Sequence, residues 1–323
     1  MMTMFPLCKR DISSSCDYVL SGEMFNMARV AVVIVNYNAG KALREAVATS
    51  LLSRAVDKVM VVDNGSVDSS MSDLQNFAAD ESRLVCIYNR KNLGFAKACN
   101  MAIRETDADY LLFLNPDCVL HPGAVEEMLK SVMADGRAAV VGPVLINPDG
   151  SEQAGGRRAV PTPWRSFVRA FGMARLSKRY LRLFSDYHLS KEPLPDVPVE
   201  VEAISGACML VRRTALDKVG LLDEKYFLHC EDLDWCMRFR MQGWKILFVP
   251  SARVVHLKGE CSKIRPVFVE WNKHKGMVRF YRKFFRHQYP GLLMWLVWCG
   301  VWLRFGAVAA YYSGKRISQW LKG

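Results

Sequence analysis

The chain has 323 residues, 51% of them apolar, enough for one large α/β domain with an appendage or for two modest domains. Its 44 Lys and Arg exceed its 32 Asp and Glu by 12, a balance that suggests nucleic acid until it is located. From Lys263 onward twelve basic residues face one acid, Glu270, a net of +11, and Gln153 to Ser185 holds eight basic residues and no acid; the remainder sums to −7, so the body is acidic and no nucleic-acid partner is expected.

The ten cysteines contain no Cys-x-x-Cys pair and read as reduced thiols. Residues 1–28 carry acids and serines where a secretory signal would be apolar. They are expected to be an N-terminal extension, disordered or upstream of the true start, with Met24 or Met27 as candidate first residues.

Arg29 to Val35 is an unbroken apolar, β-branched run that predicts the first strand; Asn36-Tyr37-Asn38 follows, then helical spacing over Lys41 to Leu52. A second strand over Val59 to Val62 ends at Asp63, a helix is expected from about Ser69 to Phe77, and a third strand over Leu84 to Tyr88. Asn89 to Gly94 is a turn, Phe95 to Arg104 a helix, and Tyr110 to Leu114 a strand running into Asn115-Pro116-Asp117. Strands alternating with helices at this spacing predict a parallel, doubly wound sheet. After a helix from about Gly123 to Met133 and a strand at Ala138 to Val141, Asn147 to Pro198 shows no clean element beyond a basic helical stretch around Trp164 to Leu183. A loop that long predicts a mobile excursion, a lid or binding segment or else disorder. Order resumes at Val201 to Val211, which contains Ser205-Gly206-Ala207, then in an acidic helix from Glu231, a strand at Lys245 to Val249 and a second at Arg253 to His256.

Phe227 to Trp235 places three carboxylates, Glu231, Asp232 and Asp234, in a first helical turn, a pattern that the helix dipole alone would satisfy. Two other acid-bearing turns, at Asp63 and at Asp117, also follow strands and should share the carboxyl edge of the sheet, where open α/β sheets bind ligands. An acidic pocket that binds a nucleotide diphosphate needs a divalent cation between carboxylate and phosphate. Magnesium or manganese held by one or two carboxylates plus substrate oxygens meets that need, and a carboxylate free of the metal can act as general base.

Leu292 to Tyr312 is apolar, carries three Trp and two Tyr, and is flanked by basic residues, a composition suited to a membrane interface. Its one interior charge, Arg304, would cost about 2.5 kcal/mol or more in hydrocarbon, so lying on the membrane is favoured over spanning it. Packing back on the body is the alternative.

In order along the chain, Val35-Asn36-Tyr37-Asn38, Asp63-Asn64-Gly65-Ser66-Val67-Asp68, Asn89-x-x-Asn92-x-Gly94-Phe95-Ala96, Asn115-Pro116-Asp117, Ser205-Gly206-Ala207 and Glu231-Asp232-Leu233-Asp234-Trp235 resemble the motifs of family 2 glycosyltransferases, nearest to the bacterial rhamnosyltransferase-like branch. The resemblance covers about Arg29 to Ser262. It implies a GT-A fold: α/β, with a doubly wound, mostly parallel central sheet, here followed by C-terminal membrane-associating helices. The domain is placed at 29–262, with a basic, aromatic-rich membrane-associating region over 263–323.

The resemblance also implies a nucleotide-sugar donor, a divalent metal (Mn2+ or Mg2+) and inversion at the anomeric carbon. Asp63 would accept from the pyrimidine N–H, with Asn36, Tyr37 and Asn38 lining the base pocket and Asn64 and Ser66 in the same turn. Asn92 and Gly94 would hold the nucleotide from below. Asn115 stands where many relatives carry the first Asp of Asp-x-Asp and would meet the ribose; Asp117 would bind the metal, and His256 would return to it. Asp232 would be the base, Glu231 would contact the acceptor or the base, and Asp234 would cap the helix. The implied activity is transfer of a sugar, in this branch L-rhamnose from dTDP-L-rhamnose, to a hydroxyl of a lipid-linked or cell-surface glycan in bacterial polysaccharide or lipopolysaccharide biosynthesis. The expected location is the cytoplasmic face of the inner membrane, peripheral or monotopic. A UDP-hexose donor (glucosyl, galactosyl or galactofuranosyl) is the near alternative. A sugar-phosphate nucleotidyltransferase would want a Gly-rich, Arg-containing loop after the first strand, which Asn36 to Lys41 is not. A non-catalytic membrane scaffold would not need Asp117, Asp232 and His256 together.

Overall fold

The structure is a computed structural model that describes residues 28–170, 189–257 and 265–320. Apart from Ala28, the expected N-terminal extension lies outside the described residues, as does residues 171–188 of the basic stretch. Strands β1 (Val30–Asn36), β2 (Val56–Asp63), β3 (Leu84–Tyr88) and β4 (Tyr110–Leu114) lie parallel in the order β3-β2-β1-β4, joined by helices α1 (Ala42–Leu51), α2 (Ser70–Phe77) and α3 (Phe95–Arg104). All seven residues of β1 are buried, as an apolar run without polar alternation requires in a strand covered on both faces. Ala31, Val33 and Val35 pack with α3, while Val30, Val32 and Ile34 pack in a second core with α1 and α2.

The second half adds β5 (Cys118–Leu120), α4 (Ala124–Ala134) and β6 (Ala138–Ile146). Next come β7 (Arg157–Arg158), α5 (Pro163–Ala170), β8 (Val199–Glu200) and β9 (Ala203–Ile204). The chain continues through β10 (Cys208–Arg212), α6 (Arg213–Val219), α7 (Glu231–Met241) and β11 (Lys245–His256). β10 lies antiparallel between β4 and β6, and β11 lies parallel to β6 but antiparallel to β5 and β8. The expected mostly parallel sheet thus carries antiparallel members in its second half. The two strands read at Lys245 and Arg253 are one, with a bulge between Val249 and Arg253.

The excursion expected to be mobile is tied down where it is described. β7 pairs with β9, and the buried Arg157 guanidinium binds Glu152 at 2.9 Å and the carbonyls of Glu192 at 2.7 Å and Pro193 at 3.2 Å. A buried cation with this many acceptors holds both ends of the segment on the body.

The boundary drawn at residue 262 also changes. Helix α8 (Pro266–Phe284) puts Phe280 and Tyr281, with Phe285 just beyond it, into the same core as Phe113 and Trp235. Its Arg279 binds Asp223 at 2.5 Å, and its Lys283 binds Asp223 at 3.1 Å and the fully buried Asp234 at 2.6 Å. Burial pushes the Asp223 carboxyl up, yet hydrogen bonds led by Arg279 hold it down to about 2. The sequence reading counted these cations as a membrane-facing charge because their partners lie far away in sequence. α8 belongs to the folded body.

Helix α9 (Gly291–Trp320) follows, and its segment Gly291–Lys315 is long and apolar enough to cross a membrane, with mean hydropathy 1.7. One side rests on α8, where Trp302 and Phe305 stack on Trp271 at 4.9 and 5.3 Å between ring centroids. Leu292, Trp295, Leu296, Trp298, Leu303 and Tyr311 are exposed on the remainder. So wide an apolar patch marks an interaction surface and is far from the scattered apolar exposure of ordinary surfaces.

Candidate active site

β1 and β2 end in register, Asn36 opposite Asp63. The Asn36 amide donates to Asp63 Oδ1 at 2.9 Å and is shared with Ser66 Oγ at 3.0 Å and Ser70 Oγ at 2.8 Å. Asp63 is buried, and its other oxygen accepts from the Ser66 N–H at 3.2 Å. Asn38, with φ +53°, accepts from the Val67 N–H at 2.8 Å and donates its own N–H to Ser66 Oγ at 3.0 Å; Tyr37 is half buried beside it. Asn64 donates to Asn92 Oδ1 at 3.1 Å and to the Gly94 carbonyl at 3.3 Å, and accepts from Asn89 and from the Leu93 N–H. Gly94, at φ +89°, could not carry a side chain: a Cβ there would lie 2.8 Å from the Phe227 carbonyl. The sequence-predicted residues Asn36, Tyr37, Asn38, Asp63, Asn64, Ser66, Asn92 and Gly94 therefore meet in one network of turns. Asp68 serves the helix instead, accepting from the Ser70 N–H at 3.2 Å and the Gly40 N–H at 2.9 Å.

At the next turn, β11 pairs with β5 so that His256 stands opposite Cys118, which brings its ring to Asp117. His256 Nε2 lies 3.3 Å from Asp117 Oδ1 and 3.5 Å from Asn115 Nδ2, and both Asp117 and His256 are buried. The ligand atoms of Asp117, Cys118 and His256 fall within 4.8 Å of one another. Burial pushes the Cys118 thiol well above its ordinary range, and the thiol donates to the Ala207 carbonyl at 3.4 Å, so it is no ready ligand. A carboxylate and an imidazole side by side form a donor set suited to Mn2+ or Mg2+.

The third turn carries the acidic pair. His229 and Cys230 both adopt left-handed φ, +67° and +70°, and swing the chain into α7. Gly276 of α8 backs this turn: a Cβ there would lie 2.9 Å from the His229 carbonyl and 3.3 Å from Cys230. Asp232 Oδ2 accepts from the Gly206 N–H at 3.0 Å and is ion-paired with Arg158 Nη2, while Oδ1 accepts from the Leu233 N–H at 2.7 Å. Glu231 is buried, its Oε2 without a hydrogen bond, beside a small, mostly apolar cavity that it lines together with Asp232, Phe95, Phe113, Leu222 and Trp235. Burial first, and the Asp232 charge second, push its carboxyl up to about 8.

A carboxyl raised in the folded state weakens folding as pH climbs from the unfolded value toward the raised one. Glu231→Gln is therefore expected to leave the melting temperature near pH 4 unchanged and to raise stability at pH 8 by a few kcal/mol, one pKa unit being about 1.4 kcal/mol. Equal melting shifts at both pH values would count against a protonated Glu231. Asp234 does not cap α7 as expected; it is fully buried and bound by Arg238 at 2.7 Å and by Lys283.

Ser205-Gly206-Ala207 joins these turns. Ala207 accepts from the Asn115 N–H at 2.8 Å, and the neighbouring Gly206 donates to Asp232, so the Asn115-Pro116-Asp117 turn and the acidic pair share one backbone support. Arg158 and Gln153, which also enter the site, were missed from the sequence; the signal available was two adjacent arginines in an acid-free stretch.

The Glycosyl transferase family 2 model matches residues 31–220. The chain is 32% identical over 262 residues, 77% of its length and 82% of the relative's, to an N-acetylglucosaminyl-diphospho-decaprenol L-rhamnosyltransferase of Mycobacterium tuberculosis. It is 26% identical to the dTDP-rhamnosyl transferase RfbF of Shigella flexneri, covering 79% of this chain and 77% of that one. In three dimensions it is similar to the mannosyltransferase PcManGT of Pyrobaculum calidifontis, solved with GDP-Man and Mn2+, at TM-score 0.55 and 14% identity over 95% of this chain and 88% of that one. That likeness shows the fold to be the GT-A type. With the matched family model, the 32% identity to a relative and the order of turns at one sheet edge, the chain belongs to glycosyltransferase family 2.

Proposed function

We propose that this glycosyltransferase moves L-rhamnose from dTDP-L-rhamnose to a hydroxyl of a glycan carried on a lipid diphosphate, with inversion, at the cytoplasmic face of a membrane. The single observation that supports this reading best is the shared support at Gly206 and Ala207, which ties the candidate metal turn to the candidate base. The printed activities of the Mycobacterium and Shigella relatives support rhamnose as the sugar.

In this mechanism Asp63 accepts from the ring N–H of the pyrimidine, and its burial makes the match selective, because an unpaired charge there is costly. Asp117 and His256 would hold the divalent ion, which when bound neutralises the diphosphate and stabilises the departing charge. Asp232 takes the acceptor's proton as the acceptor oxygen bonds to the anomeric carbon and the bond to the diphosphate breaks on the opposite face. Gly206, Leu233 and Arg158 fix the orientation of that carboxylate, the condition for efficient general-base catalysis. Glu231 stays protonated beneath it. α9 lays its exposed aromatic face on the bilayer and brings the site to lipid-borne acceptors.

The test supplies the full-length protein, in detergent with Mn2+, with dTDP-L-rhamnose, UDP-glucose or UDP-galactose and a synthetic N-acetylglucosaminyl-diphospho-lipid. Sugar transfer from dTDP-L-rhamnose at a rate at least about tenfold above the UDP sugars is expected; preferential use of a UDP-hexose would replace the rhamnose reading.

A further inference from the structure

We propose that Gln153 is a positioning residue that presents His256 Nε2 to the divalent ion by holding the hydrogen of the ring on Nδ1. The inference rests on the reading of Asp117 and His256 as metal ligands. Gln153 is buried in the segment after β6, with its own N–H donating to the Leu145 carbonyl at 2.7 Å.

The polarity of its amide is fixed by its neighbours. Nε2 lies 3.1 Å from the main-chain oxygen of His256 and 2.9 Å from Asn147 Oδ1. A main-chain carbonyl only accepts, so the atom facing it is the NH2 group and the opposite atom is the oxygen. That oxygen lies 2.7 Å from His256 Nδ1. An amide oxygen also only accepts, so Nδ1 must carry a hydrogen. In the neutral ring this leaves Nε2 bare, as the nitrogen open to a cation. Nε2 is the one that faces Asp117 Oδ1 at 3.3 Å.

Two lone pairs facing each other at that distance repel, and a cation between them turns the repulsion into coordination. Metal-bound histidines ordinarily give their second N–H to such an acceptor, which fixes the tautomer and the ring plane. Here Gln153 grips both ends of the residue, accepting from the ring and donating to the main-chain oxygen, so it sets where the ring stands as well as which nitrogen is bare.

Mn2+ binding to the full-length protein, followed by the electron paramagnetic resonance of the free ion with no donor present, tests this. Gln153→Leu is expected to weaken Mn2+ binding by about 10- to 100-fold, and Gln153→Glu, which keeps the acceptor for Nδ1–H but loses the donor to the His256 main-chain oxygen, by less than Gln153→Leu. Nitrogen-15 NMR of the natural chain, with His256 assigned by its loss in His256→Ala, should show a protonated Nδ1. A bare Nδ1 with hydrogen on Nε2 alone overturns the proposal without any variant having to fold. If His256→Ala weakens Mn2+ binding and Gln153→Leu does not, Gln153 has no such role and the metal reading stands. If His256→Ala itself leaves Mn2+ affinity unchanged, the metal reading fails and the proposal fails with it.

Discussion

Asp232→Asn lowers turnover at least about a hundredfold while donor binding and Mn2+ binding stay near those of the natural chain, the loss usual for removal of a general base. The argument is geometric. Among the acids at this sheet edge Asp63 is engaged by Asn36 and Ser66, Asp117 faces His256, and Glu231 is buried. Asp232 alone of these is only partly buried. Asparagine keeps the size and can still accept from the Gly206 N–H, so the turn is preserved while the proton acceptor is lost. Rapid-quench measurement of a single turnover separates chemistry from product release. A rate within about threefold of the natural chain would remove Asp232 from the mechanism, and Glu231→Gln, expected to keep most of the rate, distinguishes the two neighbours.

The second large effect concerns where the chain can be cut. Ending it after Arg265 is expected to abolish folding, whereas ending it after Tyr289 gives a folded protein that binds nucleotide sugar and no longer sediments with membranes. Loss of α8 takes Phe280, Tyr281 and Phe285 out of the core, and each large aromatic removed from a core costs about 3–5 kcal/mol. It also strips Lys283 from Asp234, and breaking a buried pair costs about 3–5 kcal/mol more. Together these, about 12–20 kcal/mol, match or exceed the roughly 5–15 kcal/mol by which domains are stable. The cut after Tyr289 removes only α9, most of whose apolar surface faces outward. Circular dichroism melts and sedimentation of both truncated proteins decide the matter: a cooperative melt for the shorter one would return α8 to the tail. A salt wash should loosen the full-length protein from vesicles without releasing it all, since screening acts on the cations and leaves the apolar face untouched.

Local patterning explains which parts could be read in advance. β3, α3 and β4 begin and end where the spacing of apolar residues and the neighbouring Gly, Asn and Pro put them, because strand and helix periods and their breakers are local signals. β6 runs on to Ile146, past the point where Gly142-Pro143 read as a stop, since pairing with β11 outweighs the local breakers. The turns at Asn36, Asp63, Asn92 and Asn115 were legible because each directly follows an element whose end is clear. Arg158 and Gln153 were not. They lie among Gly, Pro and Arg, and their partners Asp232 and His256 stand 74 and 103 residues further along. α8 was misread for the same reason: an unpaired cation and a cation whose carboxylate comes from a distant loop look alike in one dimension.

The backing of the His229–Cys230 turn by Gly276 has a consequence for the order of events during synthesis. Two successive non-glycine residues in the left-handed region cost on the order of 1–3 kcal/mol each and persist only when surrounding structure holds them. The element that holds them is made 46 residues later than Cys230, in a helix whose next neighbour is α9. A nascent chain can complete β1 to β4 and their helices early, while the turn that aims Asp232 must wait for α8 to dock. The next element of the chain is the apolar helix α9, so the working geometry of this turn forms only as α9 is about to emerge.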